Sequence, residues 1–252
     1  MDIVRETKSW IAVHKPAGIA VQTKRIGQTD LESELLKMLK NRQGDRLTEK
    51  PEDDAAVPYL AIIHRLDQPV EGIVLFAKNT AAAASLSRQM QEQQMTKEYL
   101  ACVHWDGSHP DPEAADKWHV LEDYLVKDGR TNISKTAAAG TPGARKAKLE
   151  YRIMETSDDT AILSVRLHTG RHHQIRVQLA HAGFPVVGDR KYGREEGKNI
   201  RKRTDKEDQA PALCAYRLVF RDPDSGRTTE LKVTPFHRRL CSDSGHLSGG
   251  GI

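Results

Sequence analysis

The stretch Ile62-Ile63-His64-Arg65-Leu66-Asp67 ends an apolar run with a cation and a carboxylate, and a second apolar run starts at Gly72. A carboxylate set between two apolar segments is costly unless it has a charged partner or a chemical role. The residues alone leave both open. Arg65 and Asp67 can be an ion pair closing a turn, or Asp67 can be a reactive group that attacks a substrate or stabilises positive charge on it. Glu71 could complete the two carboxylates of a glycosidase, but aromatic residues make up only 5% of the chain, too few for a sugar cleft. His64-Arg65-Leu66-Asp67 also has the outline of a kinase catalytic loop, yet no glycine-rich loop precedes it and no Asp-Phe-Gly follows. His168, His172, His173 and His181 are the candidate metal ligands. Gly170 interrupts any helix through the first two, and no carboxylate or cysteine completes a familiar spacing, so no metal site is expected.

The elements around these residues follow from periodicity. Residues 10–13 form a short strand, followed by a Lys15-Pro16-Ala17-Gly18 turn. Leu31, Leu35, Leu36 and Leu39 fall on one helical face over 31–40, with Asp30 as N-cap. Residues 41–58 read as a loop, and 59–63 and 72–78 as strands around a turn at 67–71. Asn79 or Thr80 caps a helix to about Gln94, and 98–103 is another strand. Residues 106–145 are rich in Gly, Pro, Asp and Lys and read as an extended loop with one strand near 119–126. The alternating segments 148–154 and 161–167 make a hairpin around 156–160. A helix spans 172–182 with Gly183 as its left-handed C′ residue, and it sets His172 and Arg176 on one face. A further hairpin joins 212–220 to 228–233, and 242–252 reads as a disordered tail. Many strands joined by hairpins with few helices give an α+β class on a mixed, largely antiparallel central sheet with flanking helices and loops.

The 252 residues suit one large domain, here 1–241, and are enough to bury a substantial core. Lys and Arg number 39 against 35 Asp and Glu. The excess is local: residues 166–203 hold ten basic side chains and three acidic ones, a field that attracts phosphate. Within it, 194–203 is expected to contact phosphates. Apolar runs are too short to span a bilayer. No leader is evident, and Cys102, Cys214 and Cys241 fit neither a disulfide framework nor a zinc site, so a cytoplasmic protein without a membrane partner is expected.

HRLDQPVEGIVLFAKN, beginning at His64, resembles the catalytic motif of the RluA-like pseudouridine synthases. Residues 11–18, with His14-Lys15-Pro16-Ala17-Gly18, resemble the family's early nKPaG element. Lys97-Glu98-Tyr99-Leu100-Ala101 resembles its KxYlA strand. Thr169-Gly170-Arg171-His172-His173-Gln174-Ile175-Arg176, with 184–189 and Tyr192-Gly193, resembles its TGRxHQIR…hPivGDxxYG element. Four elements in order, over roughly residues 10–235, imply a pseudouridine synthase fold and an isomerase that converts uridine to pseudouridine in ribosomal or transfer RNA. The rival is an inactive RNA-binding or RNA-chaperone protein on the same fold.

The resemblance implies that Asp67 attacks the ribose or the uracil ring, that Arg65 helps displace the uridine from its stack, and that Tyr99 packs on the flipped base and takes the C5 proton. It implies that Arg176 pairs with the catalytic aspartate, and that His64, Lys15, Lys97, Arg171 and Gln174 contact substrate. The product is an isomer of the substrate, so no cofactor or metal is expected. A monomer without a separate N-terminal RNA-binding domain is expected. The chain departs from the family's pattern where Thr-Ser-Gly becomes Val70-Glu71-Gly72, and where a histidine becomes Gln178.

Overall fold

The computed structural model describes residues 1–25, 27–44, 58–106, 117–157, 159–193, 210–237 and 240. The chain divides into two compact units, Met1–Lys97 with Ala215–Val233, and Glu98–Cys214 with Thr234–Ile252.

In the first unit, β1 (Asp2–Glu6), β2 (Trp10–Lys15) and β4 (Glu71–Ala77) form an antiparallel ladder. The two-residue β3 (Ala61–Ile62) pairs with the end of β4. Strand β10 (Leu213–Arg221), from Ala215 onward, and β11 (Thr228–Lys232) belong here too, as an antiparallel hairpin. Helix α1 (Leu31–Gly44) buries Leu31, Leu35 and Leu39. Its start is set by Asp30, which accepts from Ser33 N at 2.8 Å and Thr23 N at 2.7 Å. Helix α2 (Thr80–Gln91) starts where Asn79 accepts from Ala82 N. It lays Ala82 and Leu86 on Trp10, Ala12, Ile73, Leu75 and Phe220. Trp10 and Phe220 meet edge to face at 5.1 Å. Leu86 has no exposed surface, so Leu86→Ala would cost about 2–5 kcal/mol.

In the second unit, β5 (Thr96–His104, from Glu98 on) pairs with β9 (Thr160–Leu167), β9 with β8 (Arg145–Thr156), β8 with β6 (His119–Asp128), and β6 with β7 (Ile133–Ala137), all antiparallel. Ala147, Leu149, Tyr151 and Ile153 alternate inward along β8. Helix α3 (Gln174–His181) packs against the β6–β7 hairpin. Gly183 follows it at φ +96, where a side chain would be strained.

The α+β class and the largely antiparallel pairing match the expectation; among the described residues there are eleven strands and three helices. Four local readings are corrected. Residues 119–137 form a two-stranded hairpin rather than a loop with one strand. Helix α1 runs on to Gly44, and the strand at 59–63 shrinks to two residues. The edge strand β1 was not anticipated. Helix α3 starts at Gln174 because His173 takes φ +55, so His172 lies before the helix and shares no helical face with Arg176. Residues 194–203 and the tail from 242 lie outside the described residues.

Candidate active site

In the first unit, Asp67 opens a β-turn closed by Val70 N donating to Asp67 O at 3.0 Å. The chain reaches this turn by leaving the sheet. Ile63 N still donates to Leu75 O, but Leu75 N donates to the His64 imidazole at 3.3 Å instead of to a backbone carbonyl. His64 therefore ends the ladder and releases Arg65, which is exposed, and Asp67, which is half-buried. Burial, aided by the charge of Lys97, pushes His64 down to about 3, so the ring stays neutral and its nitrogen stays an acceptor.

Lys15 fastens the turn from the other side. It has no exposed surface, and its ammonium donates to Pro16 O at 3.0 Å, Ile19 O at 2.8 Å and Gln68 O at 3.1 Å. Gly18 and Gln68 add a reciprocal pair, Gly18 N to Gln68 O and Gln68 Nε2 to Gly18 O. Burial lowers Lys15 to about 8, against the opposing pull of the Asp67 and Glu71 carboxylates. The lysine–proline–glycine motif is thus a mount for the turn that carries Asp67. Gly72 follows under a separate constraint. Its φ is +130, and a Cβ there would stand 2.6 Å from Ala215 Cβ and O, so β4 can pass β10 only with glycine at this position. Burial also lowers Lys97, whose ammonium contacts Met90 Sδ at 3.6 Å.

In the second unit, Arg176 is 3% exposed. Its guanidinium holds Asp189 in a two-pronged pair, Nε to Oδ2 at 2.6 Å and Nη2 to Oδ1 at 2.7 Å. Asp189 also accepts from Lys191 N and Tyr192 N, and Gly193 N donates to its carbonyl. The guanidinium lies 5.2 Å from the Tyr192 ring. Tyr192 Oη in turn accepts from Ser134 N at 2.8 Å and lies 2.7 Å from His173 Nδ1. Burial, then Arg176 and the other nearby cations, push His173 down to about 3.

Gln174 spends its amide on the loop before α3. Its oxygen accepts from Thr169 Oγ1 and Arg171 N, and its nitrogen donates to Lys148 O and Gln178 Oε1. Arg171 Nε donates to Lys146 O. Tyr99 is 7% exposed on β5, opposite Val165. The histidines weighed as metal ligands have protein neighbours: Glu150 for His168, Ser134 for His172, Tyr192 for His173 and Asp123 for His181.

Within the first unit the structure ties Lys15 to the Asp67 turn and sets His64 beside Lys97. Within the second it places Arg171, Gln174 and Arg176 around the start of α3. Sequence reasoning gave no role to Gln68, Asp189 or Tyr192. The last two stand in the quoted GDxxYG segment, which was the available signal.

The model of the RNA pseudouridylate synthase family matches residues 9–181. An uncharacterised RNA pseudouridine synthase of Chloroflexus aurantiacus is 38% identical over 132 residues, 52% of this chain and 38% of that one. The ribosomal large subunit pseudouridine synthase D of Nitrosomonas europaea is 30% identical over 227 residues, 90% of this chain and 60% of that one. This chain therefore spans between about two fifths and three fifths of these curated relatives. Among solved structures, human RNA pseudouridylate synthase domain containing 4 superposes with a TM-score of 0.68 at 18% identity, covering 95% of this chain and 91% of that one. At that identity the likeness speaks for the fold.

Proposed function

This chain belongs to the RNA pseudouridylate synthase family, RluA-like in type, and from that premise we propose that it isomerises uridine to pseudouridine in RNA through Asp67. The observation that carries the reading is the mounting of Asp67: a half-buried carboxylate on a turn held by a buried ammonium. The ammonium is met by the carbonyls of Pro16, Ile19 and Gln68.

The reaction breaks the C1′–N1 bond, turns the uracil, joins C1′ to C5 and moves the C5 proton to N1. The base must first leave its stack, and exposed Arg65 beside the turn helps displace it. Asp67 attacks the substrate and is released in the second half of the reaction. Tyr99 packs on the flipped ring and takes the C5 proton. Arg176, anchored by Asp189, supplies positive charge to the site. His64, Lys15 and Gln174 act as positioning residues for the loops they hold, while Arg171 and Lys97 contact RNA.

The substrate is ribosomal or transfer RNA, and the name of the Nitrosomonas relative favours the large ribosomal subunit. The working unit is a monomer with residues 1–241 as its catalytic domain, and it acts in the cytoplasm. No helix among the described residues is long and apolar enough to cross a membrane. Mapping pseudouridine in total RNA from cells with and without this protein tests the reading. Loss of one or a few sites, restored by the wild type but not by Asp67→Asn, is the expected result. An unchanged map contradicts it.

A further inference from the structure

A cleft of about 710 Å³ opens within the first unit. Glu6 and Lys8 line it from β1 and the turn after it, Leu39 and Arg42 from α1, Tyr59 from the segment before β3, and Lys78 from just past the end of β4. Strand β4 starts beside the Asp67 turn and rises about 3.3 Å per residue, so its far end, and the cleft with it, stands roughly 20 Å from that turn.

Three of the lining side chains are cations and one is a carboxylate. Both oxygens of Glu6 are engaged: Arg42 Nη1 donates to Oε2 at 2.8 Å and Lys78 Nζ to Oε1 at 2.6 Å. Lys78 also donates to Thr7 O at 2.9 Å, which fixes its place at the wall. The acid is thus met by two cations, and the cleft keeps an excess of positive charge, with Lys8 and Arg42 exposed. Tyr59 leaves 44% of its surface exposed, while Leu39 is buried beneath. An aromatic ring and positive charge in one concave site suit an unpaired nucleotide, whose base stacks on the ring while its phosphate meets the cations. Duplex RNA keeps its bases stacked inside and cannot offer one to Tyr59. An acidic peptide would use the cations and leave the ring idle.

We propose that this cleft is a second RNA-binding site, which takes an unpaired nucleotide of the substrate strand with its base on Tyr59 and its phosphate on Lys8 and Arg42. The inference rests on the proposed action on RNA. It gives target choice a physical basis: a uridine is favoured where an unpaired nucleotide lies roughly 20 Å from it.

The test uses the full chain and a thiouridine-labelled oligouridylate about twelve nucleotides long. Irradiation is expected to cross-link the peptide that holds Tyr59. Tyr59→Leu weakens binding about tenfold, and Lys8→Ala lowers the salt slope by about 0.7. On the RNA identified by mapping, the loss in both variants appears in KM rather than kcat. Both side chains are exposed, so the variants unfold as the wild type does. Equal binding and equal KM in all three proteins overturn the site. Full displacement of the oligonucleotide by uridine monophosphate makes the cleft a free-nucleotide site and overturns the strand reading. A wild type that neither binds nor isomerises RNA overturns the proposed function as well, and is told apart because failure of the cleft alone leaves the wild type active.

Discussion

Lys15 and Arg176 are both cations with almost no exposed surface, at 0% and 3%, and their charges are met in different ways. Lys15 is surrounded by carbonyl dipoles, with the carboxylates of Asp67 and Glu71 acting on it electrostatically. Arg176 holds the Asp189 carboxylate by two short bonds. Dipoles can hold a cation without spending a carboxylate. A two-pronged pair holds its partner rigidly but leaves less of that partner for chemistry. In the first unit the Lys15 donors go to carbonyls, while in the second Asp189 is the held member and Arg176 the anchored one.

Breaking the second unit's pair has the largest expected effect. Arg176→Ala leaves Asp189 buried without its partner and destabilises the fold by about 3–5 kcal/mol in urea unfolding. Arg176→Lys recovers little of this, because an ammonium cannot form the fork. Adding Asp189→Ala to Arg176→Ala recovers much of the loss; if it recovers none, the pair does not act as a latch.

In the first unit, Lys15→Met removes a buried charge along with three tethers, so stability changes less, by at most about 2 kcal/mol. Uridine isomerisation falls about a hundredfold as the turn loosens. A stability loss as large as that of Arg176→Ala would erase the contrast between the two cations.

Lys15 also makes the contrast pH-dependent. Its folded pKa of about 8 lies below the ordinary 10.5. Between these values the unfolded chain holds a proton that the folded chain has released. The Lys15 contribution to stability therefore rises with pH across that window, while activity falls above about pH 8 as the ammonium is lost. Lys15→Met abolishes both trends, and unfolding at pH 7.5 and 9.5 beside a rate profile checks this.

The smallest effect concerns His64, whose folded pKa of about 3 lies below 6.5. Its contribution is complete above about pH 6.5 and drains away as pH falls toward 3. His64→Gln keeps an acceptor for Leu75 N and flattens that acid slope. An unaltered slope would mean that His64 is not the group that binds the proton.

Much of this arrangement was legible in the sequence. The caps at Asp30 and Asn79, the strand that follows Asp67 and the helix stop at Gly183 all follow from local rules. The β6–β7 hairpin was not legible, because only Leu125 on β6 and Ser134 on β7 are buried, and the alternation that marks a strand is faint. The start of α3 was misplaced because a left-handed histidine at 173 has no local signature. It is held there by contacts such as that with Tyr192, nineteen residues away. Lys15 was read as a substrate contact from its motif, and only the three-dimensional structure shows its donors spent on carbonyls. The Arg176–Asp189 pair spans thirteen residues, and no spacing rule predicts it.

The central claim is that the Asp67 carboxylate is the reacting group of an RNA isomerase. Tritium release from uridine C5 by purified wild type and Asp67→Asn, on the RNA identified by mapping, measures it directly. The account predicts steady release by the wild type and a loss on the order of 10³-fold or more in the variant, with the two proteins unfolding alike. Equal release by both, or RNA binding by the wild type without any release, would contradict it.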